Sequence, residues 1–324
     1  MSSNKPKSIN SLMKYLRDKK GITIWGTNKK SFRNIGYYHG YKGYRFFSNP
    51  NNTINYINFR ELKAVYDFDM QIKTLFYPFI MFIETAMKNY ALECVLCENK
   101  SSLFEEIYLT VLNDYKSFTA GSGQYKEAMR KRLSLRNKVY GVLSRDYPDK
   151  LIVRHFYETG RPVPIWALFE LLSFGEFGEF YSCLNSVTRK KISKSLGINI
   201  GFDTNGKLPL IIIFTLKDLR NAIAHNDTVF DVRFKTGKIS TRLSQYLCNE
   251  TGIVDIDFST IADYVILISF LLKKFGCTKI ESKKFVKDFI SICELLRTKV
   301  SASISTKIIH TSIRNKMNAL INYL

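Results

Sequence analysis

The stretch LPLIIIFTLKDLRNAIAHND, Leu208 to Asp227, admits few structural solutions. It opens on a near-continuous apolar run from Leu208 to Phe214, turns amphipathic, and closes on Arg220, Asn221, His225, Asn226 and Asp227. Apolar residues at Phe214, Leu216, Leu219, Ala222 and Ile223 fit a buried helix better than a strand. Asn226 and Asp227 tolerate turn and left-handed conformations, so they mark its end.

The spacing inside that helix bears on function. Asn221 and His225 are four apart and share a face. Arg220 precedes His225 by five residues, so the two directions differ by roughly 140°. One helix does not easily close such a pair on a small substrate, whereas two facing copies could, which points towards a composite site across a dimer. The chemistry that fits is cleavage of an RNA phosphodiester. A histidine titrates near neutrality and can relay protons. A guanidinium can grip a phosphate with two donors and stabilise growing negative charge. RNA brings its own nucleophile in the 2′-hydroxyl, so neither a metal nor another cofactor is expected. The same two side chains would also serve a structural role, complementing the negative end of the helix dipole. Arg33, Asn34 and His39 repeat the theme loosely, so spacing alone does not choose between the roles.

Charge narrows the partners. The 324 residues carry a formal net charge of +21, a field that attracts polyanions, nucleic acid ahead of a membrane surface. The excess lies at the ends: 12 Lys and Arg against Asp18 alone over residues 1–60, and 11 basic against 3 acidic residues over 271–324. A nearly neutral middle flanked by RNA-holding ends fits this pattern. With 45% hydrophobic residues the chain can bury a sizeable core, as one large domain or two. We expect a basic, aromatic-rich segment over 1–57, a helical core over 58–252 and a basic helical region over 253–324. The six cysteines include one CxxC, Cys94 and Cys97, in what reads as helix interior without partner ligands, so no metal site is expected. No apolar run is long enough to span a bilayer and no signal peptide is evident, which predicts a cytoplasmic protein without a membrane partner.

Along the chain, a short amphipathic helix is expected from Ser8 to Lys20, then a brief strand or extended arm at Ile22–Trp25, and a second helix over Lys29–Tyr37. Alternating aromatic, glycine and basic residues follow from Tyr37 to Phe47. They suit a single-stranded RNA platform, with Tyr37, Tyr41 and Tyr44 to stack bases and Lys29, Lys30, Arg33, Lys42 and Arg45 to meet phosphates. An aromatic core packed beneath a glycine turn would use the same residues. Asn58 and Glu61 form a capping-box pattern ahead of a long helix to about Glu98, with Pro78 inside it. Glu84 and Lys88 are four apart, a helix-stabilising pair. The basic run Lys126–Lys138, with Arg130 and Arg132, is either a solvated helix face or a phosphate tracker. Trp166–Asn185 reads as one apolar helix with Gly175 and Gly178 allowing close contact, and its Glu170 as a buried carboxylate in want of a cation, Arg220 being the expected partner. A polar, hairpin-like connection is expected from Asp227 to about Gly252. Three more helices, near 258–275, 282–300 and 306–323, extend the basic surface through Lys283 and Lys284.

Four stretches carry a resemblance. Leu219–Asn226 is similar to the arginine–polar–three residues–histidine signature of HEPN-domain ribonucleases. Ile35–Tyr44, Val65–Lys73 followed by Ile83, Glu84 and Lys88, and Pro164–Gly175 resemble the AbiD/AbiF abortive-infection family of bacterial antiphage proteins, a HEPN branch, in family order. The family usually carries arginine where His39 stands, so Arg33 and His39 are read as a decoy, and Lys73 and Lys88 occupy positions that are often arginine. The resemblance implies a mainly α fold, a HEPN-type helical bundle with basic extensions at both ends. It implies a metal-independent endoribonuclease with Arg220, Asn221 and His225 as catalytic residues, Glu84 and Glu170 supporting them, and a cyclic phosphate product. Two protomers would complete the site as a homodimer, and a small structured noncoding RNA would be a stable partner. A binding module without catalysis, or a toxin held silent by RNA, is the alternative.

Overall fold

Helical periodicity runs through residues 6–324, the part of the chain that this computed structural model describes. The fold is mainly α. In chain order the helices are α1 (Ile9–Lys20), α2 (Lys29–Ile35), α3 (Phe59–Asn99), α4 (Phe104–Thr110), α5 (Gly123–Asp146), α6 (Leu151–Glu158), α7 (Ile165–Leu171), α8 (Phe174–Cys183), α9 (Ser186–Ser195), α10 (Leu208–Ala224), α11 (Thr241–Thr251), α12 (Ile261–Lys274), α13 (Lys279–Lys299), α14 (Ala302–Ile308) and α15 (Thr311–Tyr323). Between α2 and α3 the segment Gly36–Lys42 winds as a π-helix. Among the described residues there are isolated β-bridges but no strands.

The chain forms two compact units. Unit 1 consists of the described residues up to Phe79 together with Asp218–Leu324, and unit 2 is Ile80–Lys217. The unit boundaries fall inside α3 and α10, not in loops. Pro78 lies within α3, beside the first boundary.

In unit 1 the most apolar helix is the innermost: every residue of α12 from Ile261 to Leu272 is buried. α11, α13 and α15 pack against it. Asp263, on the first turn of α12, would be costly to bury alone. Lys316 of α15 meets its carboxylate at 2.7 Å, and the backbone N–H of Phe258 donates to the same carboxylate at 2.9 Å. Phe285 of α13 packs on Phe76 and Phe79 of α3, with ring centroids 5.7 and 4.7 Å apart, tying the carboxy-terminal helices to the amino-terminal half of the unit.

In unit 2, α5 packs against α7 and α8. At Gly178 of α8 a Cβ would lie 3.0 Å from the Ile213 side chain and 3.1 Å from that of Phe214 on α10, tighter than an ordinary contact, so those side chains would have to give way. That is the close helix contact which its glycine predicts. The buried Arg189 of α9 pairs with Asp114 at 2.8 Å.

Several local expectations need correction. Trp166–Asn185 is two helices, because Ser173 caps a new one: its hydroxyl accepts from Glu176 N–H, and the Glu176 carboxylate accepts from Ser173 N–H. The expected hairpin before Gly252 contains α11. Leu243, Tyr246 and Leu247 form its buried stripe, a helical period masked by the polar residues between them. Ile22–Trp25 makes one parallel bridge, Thr23 with Asn58, and no ladder. Asn58 does cap α3, its side chain accepting from Glu61 N–H at 3.1 Å. Glu61 completes the cap by accepting from Ile57 N–H at 2.8 Å, one residue earlier than a capping box requires.

Candidate functional site

The site is organised around a buried acid. Asp69, on α3, has no solvent exposure. Its carboxylate accepts from the Tyr44 hydroxyl at 2.6 Å and from the backbone N–H groups of Val229 and Phe230 at 2.9 and 2.7 Å. Lys73, one helical turn on, forms an ion pair with it at 2.8 Å. Burial raises the Asp69 pKa, and the Lys73 ammonium works against that rise. The same burial, with Asp69 beside it, holds the Tyr44 phenol well above its ordinary value and keeps it a donor. One carboxylate thus joins the long helix, the aromatic segment and the loop that follows α10.

Lys73 carries the arrangement to the end of α10. Its ammonium donates to the Asn226 side-chain oxygen at 2.9 Å. Asn226 adopts the left-handed conformation, φ 57°. Asp227 N–H reaches back to Ala222 O at 2.8 Å, and Asn226 N–H to Ile223 O at 3.2 Å, the two bonds of a Schellman cap. The helix therefore stops where Asn226 and Asp227 predict. His225 sits at that terminus with its side chain exposed and its N–H on Asn221 O at 2.9 Å. Arg220 and Asn221 are half-buried one turn earlier, and the guanidinium donates to the Asn221 side-chain oxygen at 3.4 Å. An exposed imidazole, an amide and a guanidinium are thus gathered over the last two turns of one helix, whose end is fixed from beneath.

The aromatic segment forms a neighbouring wall. Gly40 is required in the π-helix, because a Cβ there would come within 2.5 Å of the Ile35 side chain. Arg233 staples the segment down. It pairs with the buried Asp231 and donates to Gly43 O at 2.9 Å and Phe46 O at 2.8 Å, with its guanidinium 4.1 Å from the centre of the Phe46 ring. Asp231 in turn accepts from Ser48 N–H at 2.7 Å. Between this wall and Asn226, Asp227 and Thr228 lies an open cavity of about 430 Å³.

Not every expected RNA contact lies at the surface. Tyr41 and Tyr44 are only 5% and 2% exposed, so neither ring offers a face for a base, and Tyr44 spends its hydroxyl on Asp69. Here the aromatic core beneath a glycine turn was the right alternative. Tyr37 is half-buried, 5.5 Å from Tyr41. Lys30 and Arg33 are exposed, while Lys29, Lys42 and Arg45 are half-buried. In unit 2, Arg132 is 8% exposed and donates to Leu112 O and Tyr108 O, both at 2.7 Å, with its guanidinium 3.6 Å over the Tyr108 ring. It is a structural bracket and not a phosphate contact. Arg132→Ala is expected to cost about 2–4 kcal/mol of stability, through two orphaned carbonyls and a lost ring contact, with RNA affinity unchanged. Denaturant unfolding beside a binding titration checks both halves. Arg130 is exposed and held on Glu127 at 2.9 Å, and Lys284 on Asp288 at 2.6 Å. Lys283 is half-buried on α13.

Glu84 and Glu170 both belong to unit 2. Glu84 is buried and pairs with Lys88 at 2.9 Å, as their spacing predicts, while Lys88 also donates to Leu172 O at 2.6 Å. Glu170 is exposed, which removes the reason for expecting a buried carboxylate there. Cys94 and Cys97 are free thiols on α3. Sequence reasoning missed Asp69, Asp231 and Arg233 as organisers. The signal for Asp69 was available, an acid four residues before a lysine on a helix otherwise apolar at those positions. Nothing in the sequence points Arg233 at two carbonyls nearly two hundred residues earlier.

Charge follows the site. Unit 1, counted over its whole sequence, holds 30 Lys and Arg against 14 Asp and Glu, a formal +16, whereas unit 2 holds 19 against 14, or +5. Among the described residues no helix is long and apolar enough to cross a membrane.

Comparison with known families gives one finding. A family model described as Abi-like protein matches residues 30–231, well over half of the chain, and that span includes Tyr44, Asp69, Lys73 and the whole of α10 with its cap. No curated protein and no solved structure matches the chain.

Proposed function

The chain belongs to the Abi-like family, which ties it to abortive-infection defence, and from that premise we propose that it is a metal-independent endoribonuclease with a HEPN-type helical core, close to the AbiD/AbiF branch. In this reading His225 moves protons at the 2′-hydroxyl or at the leaving 5′-oxygen, and Arg220 holds the phosphate and the charge that grows on it. Asn221, on the face of His225, orients the imidazole or donates to a phosphate oxygen. The 2′-oxygen attacks phosphorus, the bond to the 5′-oxygen breaks, and the products carry a 2′,3′-cyclic phosphate and a 5′-hydroxyl. One proton leaves the nucleophile and another reaches the leaving group. A second protomer bringing its own α10 terminus would supply the second imidazole, so the working form is a homodimer.

The observation that most supports this reading is the exposure of His225 beside Asn221 and Arg220 on a helix end anchored through Asn226, Lys73 and Asp69, within the unit that carries most of the excess positive charge. That charge suits RNA as substrate and a small structured noncoding RNA as a stable partner, with Lys29, Lys30, Arg33, Lys42, Arg45, Arg130, Lys283 and Lys284 on the phosphates. The cytoplasm is its setting.

The test is to incubate the purified full-length protein with end-labelled RNA in excess chelator. Wild type is expected to cut and leave cyclic phosphate ends, and an Arg220→Ala/His225→Ala protein is expected to leave the RNA intact. If both proteins retain the same copurified RNA and neither cuts, the chain is an RNA-binding or RNA-silenced module instead.

A further inference from the structure

The open cavity beside the end of α10 is lined by groups of an unusual mixture. On the π-helical side stand Tyr38, His39 and Lys42, with Arg45 just beyond. Opposite them are Tyr66 of α3 and the Asn226–Thr228 turn that directly follows His225. Tyr38 is 75% exposed, with its ring edge-on to the His39 imidazole at 5.7 Å between centroids. Lys42 has no carboxylate partner among the described residues, and its ammonium lies 5.9 Å from the Tyr37 ring centre. Arg233, also in the lining, is committed to Asp231 and to backbone carbonyls, so it shapes the wall and is not available to a ligand. Asp227 adds a carboxylate, which accepts hydrogen bonds from neutral donors but repels an anion placed against it.

An exposed aromatic face, an uncommitted ammonium, a side-chain amide, a hydroxyl and a carboxylate together match a nucleotide: base, phosphate, and the N–H and O–H groups of base and ribose. A bare phosphate would use only the cation, and an apolar ligand would leave the polar groups unpaired. The wall is also pre-set. Tyr44 on Asp69 and Arg233 on Gly43 and Phe46 fix the segment from below, so little ordering is left for the ligand to drive. π-helical turns of this kind often sit at functional sites.

We infer that this cavity receives one unpaired nucleotide of an RNA strand, with its base on Tyr38 and its phosphate on Lys42. The inference rests on the ribonuclease reading, which it deepens: the neighbouring phosphate of the same strand continues along Asn226 towards His225 and Arg220. A duplex cannot enter, because its bases are already stacked and paired. The cavity therefore makes the protein selective for unpaired RNA, through residues outside the Arg220–His225 set.

Binding, and not cleavage, tests this. Fluorescence anisotropy would be measured with a short labelled single-stranded oligoribonucleotide and with the matching duplex. The full-length His225→Ala protein is the background, so that nothing is cut. Tyr38→Ala and Lys42→Gln should each weaken single-strand binding about ten-fold. Tyr38→Phe, which keeps the ring, should restore it. Lys150→Ala, removing one exposed lysine elsewhere, should leave it unchanged. Tyr38 is exposed and Lys42 has no carboxylate partner among the described residues, so melting should be unaltered, which circular dichroism verifies. A free nucleoside monophosphate at millimolar concentration should compete with the oligonucleotide if the cavity binds one nucleotide unit. The inference is overturned if Tyr38→Ala and Lys42→Gln bind the single strand as their background does, or if single strand and duplex bind equally. Should wild type cut RNA in that case, the ribonuclease stands and only the cavity's role falls. Loss of binding in both variants with no cleavage by wild type keeps the cavity and removes the ribonuclease.

Discussion

His225→Ala is expected to cleave RNA about 10²–10⁴-fold more slowly than wild type, the range of a positioned proton-transfer group, while unfolding at the same denaturant concentration. Both halves follow from its place. The imidazole is exposed at the end of α10, and the bonds that close the helix come from backbone groups and from Asn226, so alanine removes a reactive side chain and no support. Arg220→Lys separates charge from geometry at the same site. It keeps the cation but loses the planar pair of donors, and the rate should fall about 10²-fold, as when a stabiliser of growing negative charge is lost. Single-turnover rates in chelator, beside RNA affinity and the unfolding midpoint, distinguish these effects. A His225→Ala protein that cuts at the wild-type rate would remove the proposed mechanism.

Asp69→Ala is expected to be the most damaging single change to unit 1, costing about 3–5 kcal/mol, because it breaks a buried ion pair and strands the partner's charge. Lys73 would lose its carboxylate, and Tyr44, Val229 and Phe230 would each keep a buried donor with nothing to receive it. Asp69→Asn should not rescue. Its amide can accept from the two backbone N–H groups, but it turns an NH₂ towards the Lys73 ammonium, which can only donate. Chemical denaturation of the three proteins gives the comparison. An Asp69→Asn chain as stable as wild type would mean that the carboxylate charge is dispensable there.

How much of this was legible beforehand depended on whether the information was local. Asn58, Asn226 and the α10 pattern announced their helix ends correctly, because caps are decided by a few adjacent residues. The grouping of Arg220, Asn221 and His225 over the last two turns of one helix is local in the same way. For Tyr41 and Tyr44 an RNA-facing surface and a buried core are equally compatible with the sequence, since alternation of aromatic and basic residues says nothing about which side is covered; both are core. Arg132 misled in the same way: a basic run on a helix looks solvated until one member turns inward onto carbonyls of another element. Asp69 and Arg233 act through partners far along the chain, and no window of sequence contains both ends of those bonds.

That distance has a consequence for how the protein is made. The segment around Tyr44, Asp69 and Lys73 leaves the ribosome well before the loop at 226–230 that satisfies it, with 160 residues between Asp69 and Val229. Until those residues emerge, a carboxylate and an ammonium destined for burial remain hydrated, and the aromatic segment lacks its Arg233 staple. The Arg220–His225 helix end and the acid that anchors it thus meet only after the whole of unit 2 has been translated. A chain interrupted before that point holds the acid without the helix end that it anchors.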